Sequence, residues 1–475
     1  PDLSGGVADI SAEFYGVSDI PGEGNDHHVF VLFNGVEITD GQFEGNSRYE
    51  LSESGVSVTA SNQFQFGLRS IAEMPFDTVA LNKIRVKYER IAIAQDDLLD
   101  GEFAGGEVFE ASGFLSDGIQ VYSIDGNGRP TVLKRTDTST AGVVKFKTGA
   151  EGGRYIALSE SGYKKPAANA VVGLPALEDI RSGDAEYLII AHSNFIGPNL
   201  DEFVALRSAN YSVKVVDVQQ IFHQFSDLHV PSAEAISEYI KFAEANLNTK
   251  FVLLVGGDTY DYKQHTSSSI SFVPTLYTTT SADGLFISQT PSDAKYGDLD
   301  DDGVPDLPIG RFPVRTTTEL ANIVEKIRDY EAREGYAGRI LMAADKADNG
   351  NGVSFTRDAI SLIETISGDW AGSLRTDYRA FPDYEDANSA RNKIFTAVNA
   401  GVSVTTYIGH SSPVGWSNTS PRLLHRNDIS TFSNIDKPTV VTQWGCWNTY
   451  FVGPQGNSMG EVFMRGNNVM KGYLK

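Results

Sequence analysis

An all-β region followed by an α/β domain with a mostly parallel sheet is the architecture that these 475 residues predict. Three observations carry it. Short alternating runs, separated by Gly, Asn, Asp and Ser, fill the first third of the chain. Beyond it the apolar runs become continuous, as in strands buried on both faces. Between those runs lie stretches with apolar residues at helical spacing, and strands that alternate with helices build parallel sheets.

Residues 1–165 contribute HVFVLF at 28–33, VSVTA at 56–60, FQFGL at 64–68, KIRVKYERIAI at 83–93, IQVYSI at 119–124 and RYIAL at 154–158. Their spacing suggests one or two β-sandwich units. After KKPAANAV (164–171) the pattern changes to YLIIAH (187–192), YSVKVVDV (211–218) and KFVLLVGGD (250–258). Ser232 opens a helix whose apolar face is Ile236, Tyr239, Ile240 and Ala243. Thr316 and Glu319 form a capping box ahead of Leu320, Ile323, Val324, Ile327 and Tyr330. RILMAAD (339–345), a helical stretch over 386–400, VSVTTYI (402–408) and PTVVTQ (438–443) follow. The expected organisation is a β-sandwich region over 1–165 and two α/β subdomains, 166–335 and 336–475, the second C-terminally incomplete.

Composition narrows the function. The net charge of −23 repels phosphate, which argues against nucleic acid. No run of about 20 apolar residues exists, so no transmembrane helix is expected. The start PDLSGGVADI has no initiator Met, and the numbering is expected to begin after a leader. The chain has one cysteine, so an intrachain disulfide and a thiolate metal cluster are both excluded. A lone cysteine is a small buried hydrophobe or a nucleophile. Composition leaves both open.

The surroundings of that cysteine favour the second. VSVTTYI runs into Gly409-His410-Ser411-Ser412, and PTVVTQW runs into Gly445-Cys446-Trp447-Asn448. Each unit is a buried strand, then Gly, then a reactive residue. Ligands of parallel sheets sit outside the C-terminal strand ends, so both residues belong at one rim. An imidazole there lowers the thiol pKa and later protonates a leaving amine.

The segments YIGHSSPVGW (407–416) and VVTQWGCWNTYFVGP (440–454) resemble the gingipain family of cysteine peptidases, in the caspase-like clan. KYGDLDDDGVPDLPIGRFPVRTTTEL (295–320), FVLLVGGDTYDY (251–262) and YLIIAHSNF (187–195) agree with it. The KYERIAI strand resembles the jelly-roll domain ahead of the catalytic domain in type IX secretion sortase-like members. The resemblance implies a caspase-like catalytic domain of two subdomains preceded by that β region, in a secreted or cell-surface bacterial protein. It implies His410 as general acid/base, Cys446 as nucleophile, and an oxyanion hole from the N–H groups of Cys446 and Ser411. An acidic residue that orients the histidine matches Asp345, with Asp348 as runner-up. The family pattern reads Gly-His-Gly-Ser, and Ser411 departs from it. A Gly-only conformation there would strain a serine. Specificity for basic residues is also implied, with Asp358 as a candidate pocket acid or one beyond Lys475, in a remaining C-terminal part of the same protein.

A separate signal is Asp298-x-Asp300-x-Asp302-Gly303-x-x-Asp306. Carboxylates at alternate positions followed by Gly suit calcium, although Ile309 stands where an EF-hand loop has its closing Glu. The expected role is structural. The expected substrate is a protein or peptide. Endopeptidase, sortase-like transpeptidase, and non-catalytic surface or assembly protein remain the three readings.

Overall fold

The computed structural model describes residues 3–19, 24–71, 77–166, 176–279, 289–332, 338–347, 354–366, 374–377, 386–435, 437–454, 456–466 and 472–473. The chain divides into two compact units: Pro1–Gly173, and a second assembled from Leu174–Thr280 and Gln289–Lys475.

The first unit contains two cores, each shared by two antiparallel sheets. In one pair, Leu3–Gly16 lies between Arg48–Ser57 and Val79–Arg90, and His27–Phe33 lies between Val36–Phe43 and Phe64–Leu68. Ala12, Phe14 and Leu51 from the first sheet meet Val29, Val31 and Phe43 from the second. The strand His27–Phe33 alternates buried and half-buried residues, as its sequence alternation requires. In the other pair, Leu99, Val121, Tyr155 and Ala157 pack against Ala111, Val144 and Phe146.

The second unit carries two parallel sheets. The first has the strand order Val213–Asp217, Tyr187–Ala191, Phe251–Val255, Ile309–Phe312. The second has the order Leu374–Asp377, Ile340–Ala344, Val404–Ile408, Thr439–Trp444, Gly472–Tyr473. Helices α1 (Pro198–Ser208), α2 (Val218–Phe225), α3 (Ala233–Leu247), α4 (Thr317–Glu331), α5 (Phe355–Thr365), α6 (Ala387–Ala400) and α7 (Met459–Arg465) connect and cover them.

The helix starts follow the sequence signals. Ser232 accepts the Ala235 N–H ahead of α3, and Thr316 with Glu319 forms the capping box of α4. Helix α2 is harder to read, because no loop precedes it. Asp217 both ends a strand and caps the helix, accepting the Gln219 N–H at 2.9 Å. Helix α7 lies far along the sequence from the first sheet, yet it enters that sheet's core. Its Met464 packs with Ile189, Leu253, Leu320 and Ile327, while Met459 and Phe463 fill the core of the second sheet. The buried Lys326 ammonium of α4 donates to the Phe463 and Met464 carbonyls at 2.9 and 2.8 Å.

Candidate active site

Strand register sets the site. Ala344 pairs with Ile408, and Ile408 pairs with Trp444, so three adjacent strands end at one level. Asp345 follows the first directly. His410 and Cys446 each stand two residues past the second and third. Neighbouring parallel strands run about 4.8 Å apart, so the chain passes to His410 and to Cys446 from adjacent strand ends. Both residues are exposed, and Cys446 is therefore no buried core thiol.

The glycine ahead of each reactive residue has a steric cause. Gly409 has φ of +151°, and a Cβ there would collide with Asp345 Cβ. A Cβ on Gly445 would collide with Ser411 Oγ and lie 2.6 Å from the Gly409 carbonyl. The three strand exits are packed so closely that only glycine lets the chain pass.

Ser411 is accommodated without strain, because it is not among the residues at positive φ. It pairs with Trp416 across the turn Pro413-Val414. Ser417 N–H donates to the His410 carbonyl at 2.7 Å. In an antiparallel ladder the next pair is then the non-hydrogen-bonded one, so the Ser411 N–H points away from Trp416. The hydroxyl that glycine would lack does something further. Ser411 Oγ donates to the Cys446 carbonyl at 2.7 Å and accepts from Asn448 Nδ2 at 3.0 Å. It ties the histidine loop to the cysteine loop.

Asp345 is 1% exposed. Its Oδ2 accepts the His410 main-chain N–H at 3.2 Å, and its Oδ1 accepts the Lys346 N–H at 2.9 Å. Burial pushes this carboxyl above its ordinary pKa, against the pull of those N–H groups and of His410. The buried Tyr407 hydroxyl donates to the His410 carbonyl at 2.6 Å and accepts from Ser417 N–H at 2.9 Å. Trp416 stacks on Tyr407 at 4.6 Å and donates to Gln443 Oε1 at 2.7 Å. Phe355, at the start of α5, meets the His410 ring edge-on at 5.2 Å. Beyond Cys446, Trp447 has φ of +66°, an uncommon conformation for a bulky residue and one that clusters at functional sites.

Sequence reasoning identified the matched glycines but not what they make room for. Trp416, Gln443 and Asn448 escaped it, because their partners are distant along the chain, and Tyr407 escaped it because only the folded turn brings the His410 carbonyl and the Ser417 N–H back to its hydroxyl. Asp348 lies outside the described residues. Asp358 is exposed in the first turn of α5, with Arg357 at 3.9 Å. In the acidic loop, carboxylate oxygens of Asp298, Asp300 and Asp306 lie within 4.8 Å of one another. Asp302 stands apart from that group, and its Oδ1 accepts the Val304 N–H at 2.8 Å.

A family model for peptidase family C25 matches residues 180–472. The chain belongs to this family, the gingipain family of cysteine peptidases. No curated protein matches the chain. Among solved structures, dimeric latent PorU from Porphyromonas gingivalis is 20% identical with a TM-score of 0.47, over 70% of this chain and 34% of that one. The Arg-specific cysteine proteinase gingipain R is 17% identical with a TM-score of 0.46, over 62% of this chain and 61% of that one. The complex of Porphyromonas gingivalis RgpB pro- and mature domains gives 18%, 0.45, and 60% of each chain. The C25 chain thus spans about a third of PorU and less than two thirds of gingipain R.

Proposed function

We propose that the chain is a secreted or cell-surface cysteine endopeptidase with a caspase-like catalytic domain, acting through a thioester and cleaving after basic residues. The observation that carries this is the common register of Ala344, Ile408 and Trp444. It supports Cys446 as nucleophile, His410 as acid/base and Asp345 as the group that holds the histidine loop. The Cys446 thiol gives its proton to the imidazole, and the thiolate attacks the peptide carbonyl. The developing oxyanion accepts from the N–H groups of Cys446 and Ser411. His410 then protonates the leaving amine, and water, deprotonated by the imidazole, releases the acid. A sortase-like transpeptidase would share every step up to the thioester and let an amine resolve it. The exposure of the one thiol supports either enzyme over a non-catalytic reuse of the fold.

Calcium belongs to the same proposal. Hard carboxylate oxygens of Asp298, Asp300 and Asp306 fit it, with Asp302 at the loop's edge. It would neutralise a loop of like charges and leave the chemistry to the thiol. Asp358 is retained as a candidate contact for a basic substrate side chain.

Thiol reactivity tests the reading. Cys446 in the folded protein should react with iodoacetamide within minutes at neutral pH, and His410→Ala should slow that reaction at least tenfold. A thiol that reacts only after unfolding would refute it.

A further inference from the structure

The first unit carries a surface that no step of the chemistry uses. The strand Val79–Arg90 borders its sheet, and among the described residues it pairs with Leu3–Gly16 alone. Its other edge leaves a row of N–H and C=O groups without ladder partners, along a strand of 12 residues. Phe43 stacks on Tyr49 at 4.9 Å, so Val36–Phe43 and Arg48–Ser57 adjoin at one side of this pair of sheets. The far side ends on Phe64–Leu68 and Val79–Arg90, and no described strand joins those two.

The two faces of the edge strand differ. A register shift between Glu13 and Phe14 sets Leu81 opposite Phe14, while Ile84, Val86 and Tyr88 stand opposite Ala12, Ile10 and Ala8. Residues directly opposite each other share a face. The four from Leu3–Gly16 are at most 3% exposed, yet Leu81, Ile84, Val86 and Tyr88 are 41%, 41%, 40% and 38% exposed. The core side of the sheet is therefore covered at its middle strand and open at its edge. On the other face Lys83, Arg85 and Lys87 stand opposite Glu13, Ser11 and Asp9. All three cations are exposed, in a chain of net charge −23.

Lysine on an edge strand serves to keep like edges apart. Two copies of this edge, paired with their apolar faces together, would set the basic row against itself, and like charges directly opposite are destabilising. An acidic strand meets no such barrier. It continues the alternation of acid and base that Glu13 with Lys83 and Asp9 with Lys87 begin. The basic row also leaves the four apolar side chains of the opposite face uncovered.

We propose that the free edge of Val79–Arg90 takes up an extended segment of another protein, in which acidic residues alternate with apolar ones, as a fourth strand of this sheet. Its backbone pairs with the open row, its apolar side chains cover Leu81, Ile84, Val86 and Tyr88, and its carboxylates face Lys83, Arg85 and Lys87. The surface is independent of the thiol chemistry.

Fluorescence anisotropy of labelled peptides of about eight residues, within ordinary strand length, tests this on the whole chain carrying Cys446→Ala, which keeps the peptides from being consumed. The probe alternates Glu with Val. It should bind at least tenfold more tightly than the same peptide with Lys in place of Glu. N-methylation of its backbone amides removes the ladder donors and should weaken it at least tenfold. Arg85 stands opposite Ser11, so Arg85→Glu sets no like charges across the existing ladder, and it should lower the Glu-over-Lys ratio at least threefold. A Glu peptide that fails to bind, a ratio below threefold, a ratio that Arg85→Glu leaves unchanged, or affinity that survives N-methylation would overturn the proposal. A dimer of the chain that must dissociate before the peptide binds, seen by sedimentation, would assign the edge to a second copy and overturn it as well.

Discussion

The two parallel sheets of the second unit are built alike and end differently. Both have continuous apolar strands, and both send glycine out at a strand end. In the first sheet, Gly256-Gly257 leads to Asp258, which is buried against Tyr262, with fully committed Arg311 alongside. In the second, Gly409 and Gly445 lead to His410 and Cys446, which face solvent. A buried strand and a glycine are therefore insufficient to make a reactive site. The second sheet adds three exits at one level, with the acid buried beneath the histidine loop and the thiol left open.

The largest expected effect breaks the reactive sheet. Cys446→Ala should remove peptide cleavage by about 10⁴-fold or more in kcat, as loss of a nucleophile does in a catalytic unit. Turnover of a fluorogenic peptide measures it, and residual activity near wild type would reassign the nucleophile. The next effect breaks the structural sheet. Arg311→Met leaves Asp293 and three carbonyls without their buried partner and should cost about 3–5 kcal/mol in urea unfolding. Such a loss would show that the first sheet's exits serve stability, whereas a cost under about 1 kcal/mol would deny it.

Gly409→Ala sharpens the contrast, since its Cβ meets Asp345 Cβ. We expect a loss of about 1–3 kcal/mol together with at least tenfold lower kcat/KM. Chelation separates the acidic loop from both exits. If calcium is held there, saturation at about 100-fold over Kd should add about 2.7 kcal/mol, and Asp298→Asn should abolish that gain.

The smallest effect concerns the acid. The Asp345 pKa is raised in the folded chain, so between its ordinary and raised values the unfolded state has already lost a proton that the folded state keeps. Its contribution to stability is present below the ordinary value and falls as pH rises through the raised one. Asp345→Asn lacks that fall, so its melting temperature relative to wild type should be higher at pH 7 than at pH 4. Equal differences at both pH values would place the carboxyl in a more solvated setting than its burial implies.

Local patterns in the sequence were sufficient for six strands of the two parallel sheets, for helices α3, α4 and α6 and for the matched Gly-His and Gly-Cys exits, but not for the strand Leu3–Gly16, and the run VSVTA at 56–60 meets a strand only at Val56 and Ser57. Alternation, helical spacing and caps act over a few residues, so the chain displays them directly. The Ser411 departure was visible too, but not its consequence. Whether a serine strains the turn depends on its φ, and what its hydroxyl does depends on Cys446 and Asn448, brought beside it by strand pairing. Tertiary structure alone decided three further matters. It set Asp345, His410 and Cys446 at one level, because register across parallel strands is fixed by the packing of the whole sheet. It exposed Cys446, the choice that composition had left open. It buried Asp258 against Tyr262, because a residue beyond a strand end acquires its setting only from what closes over it.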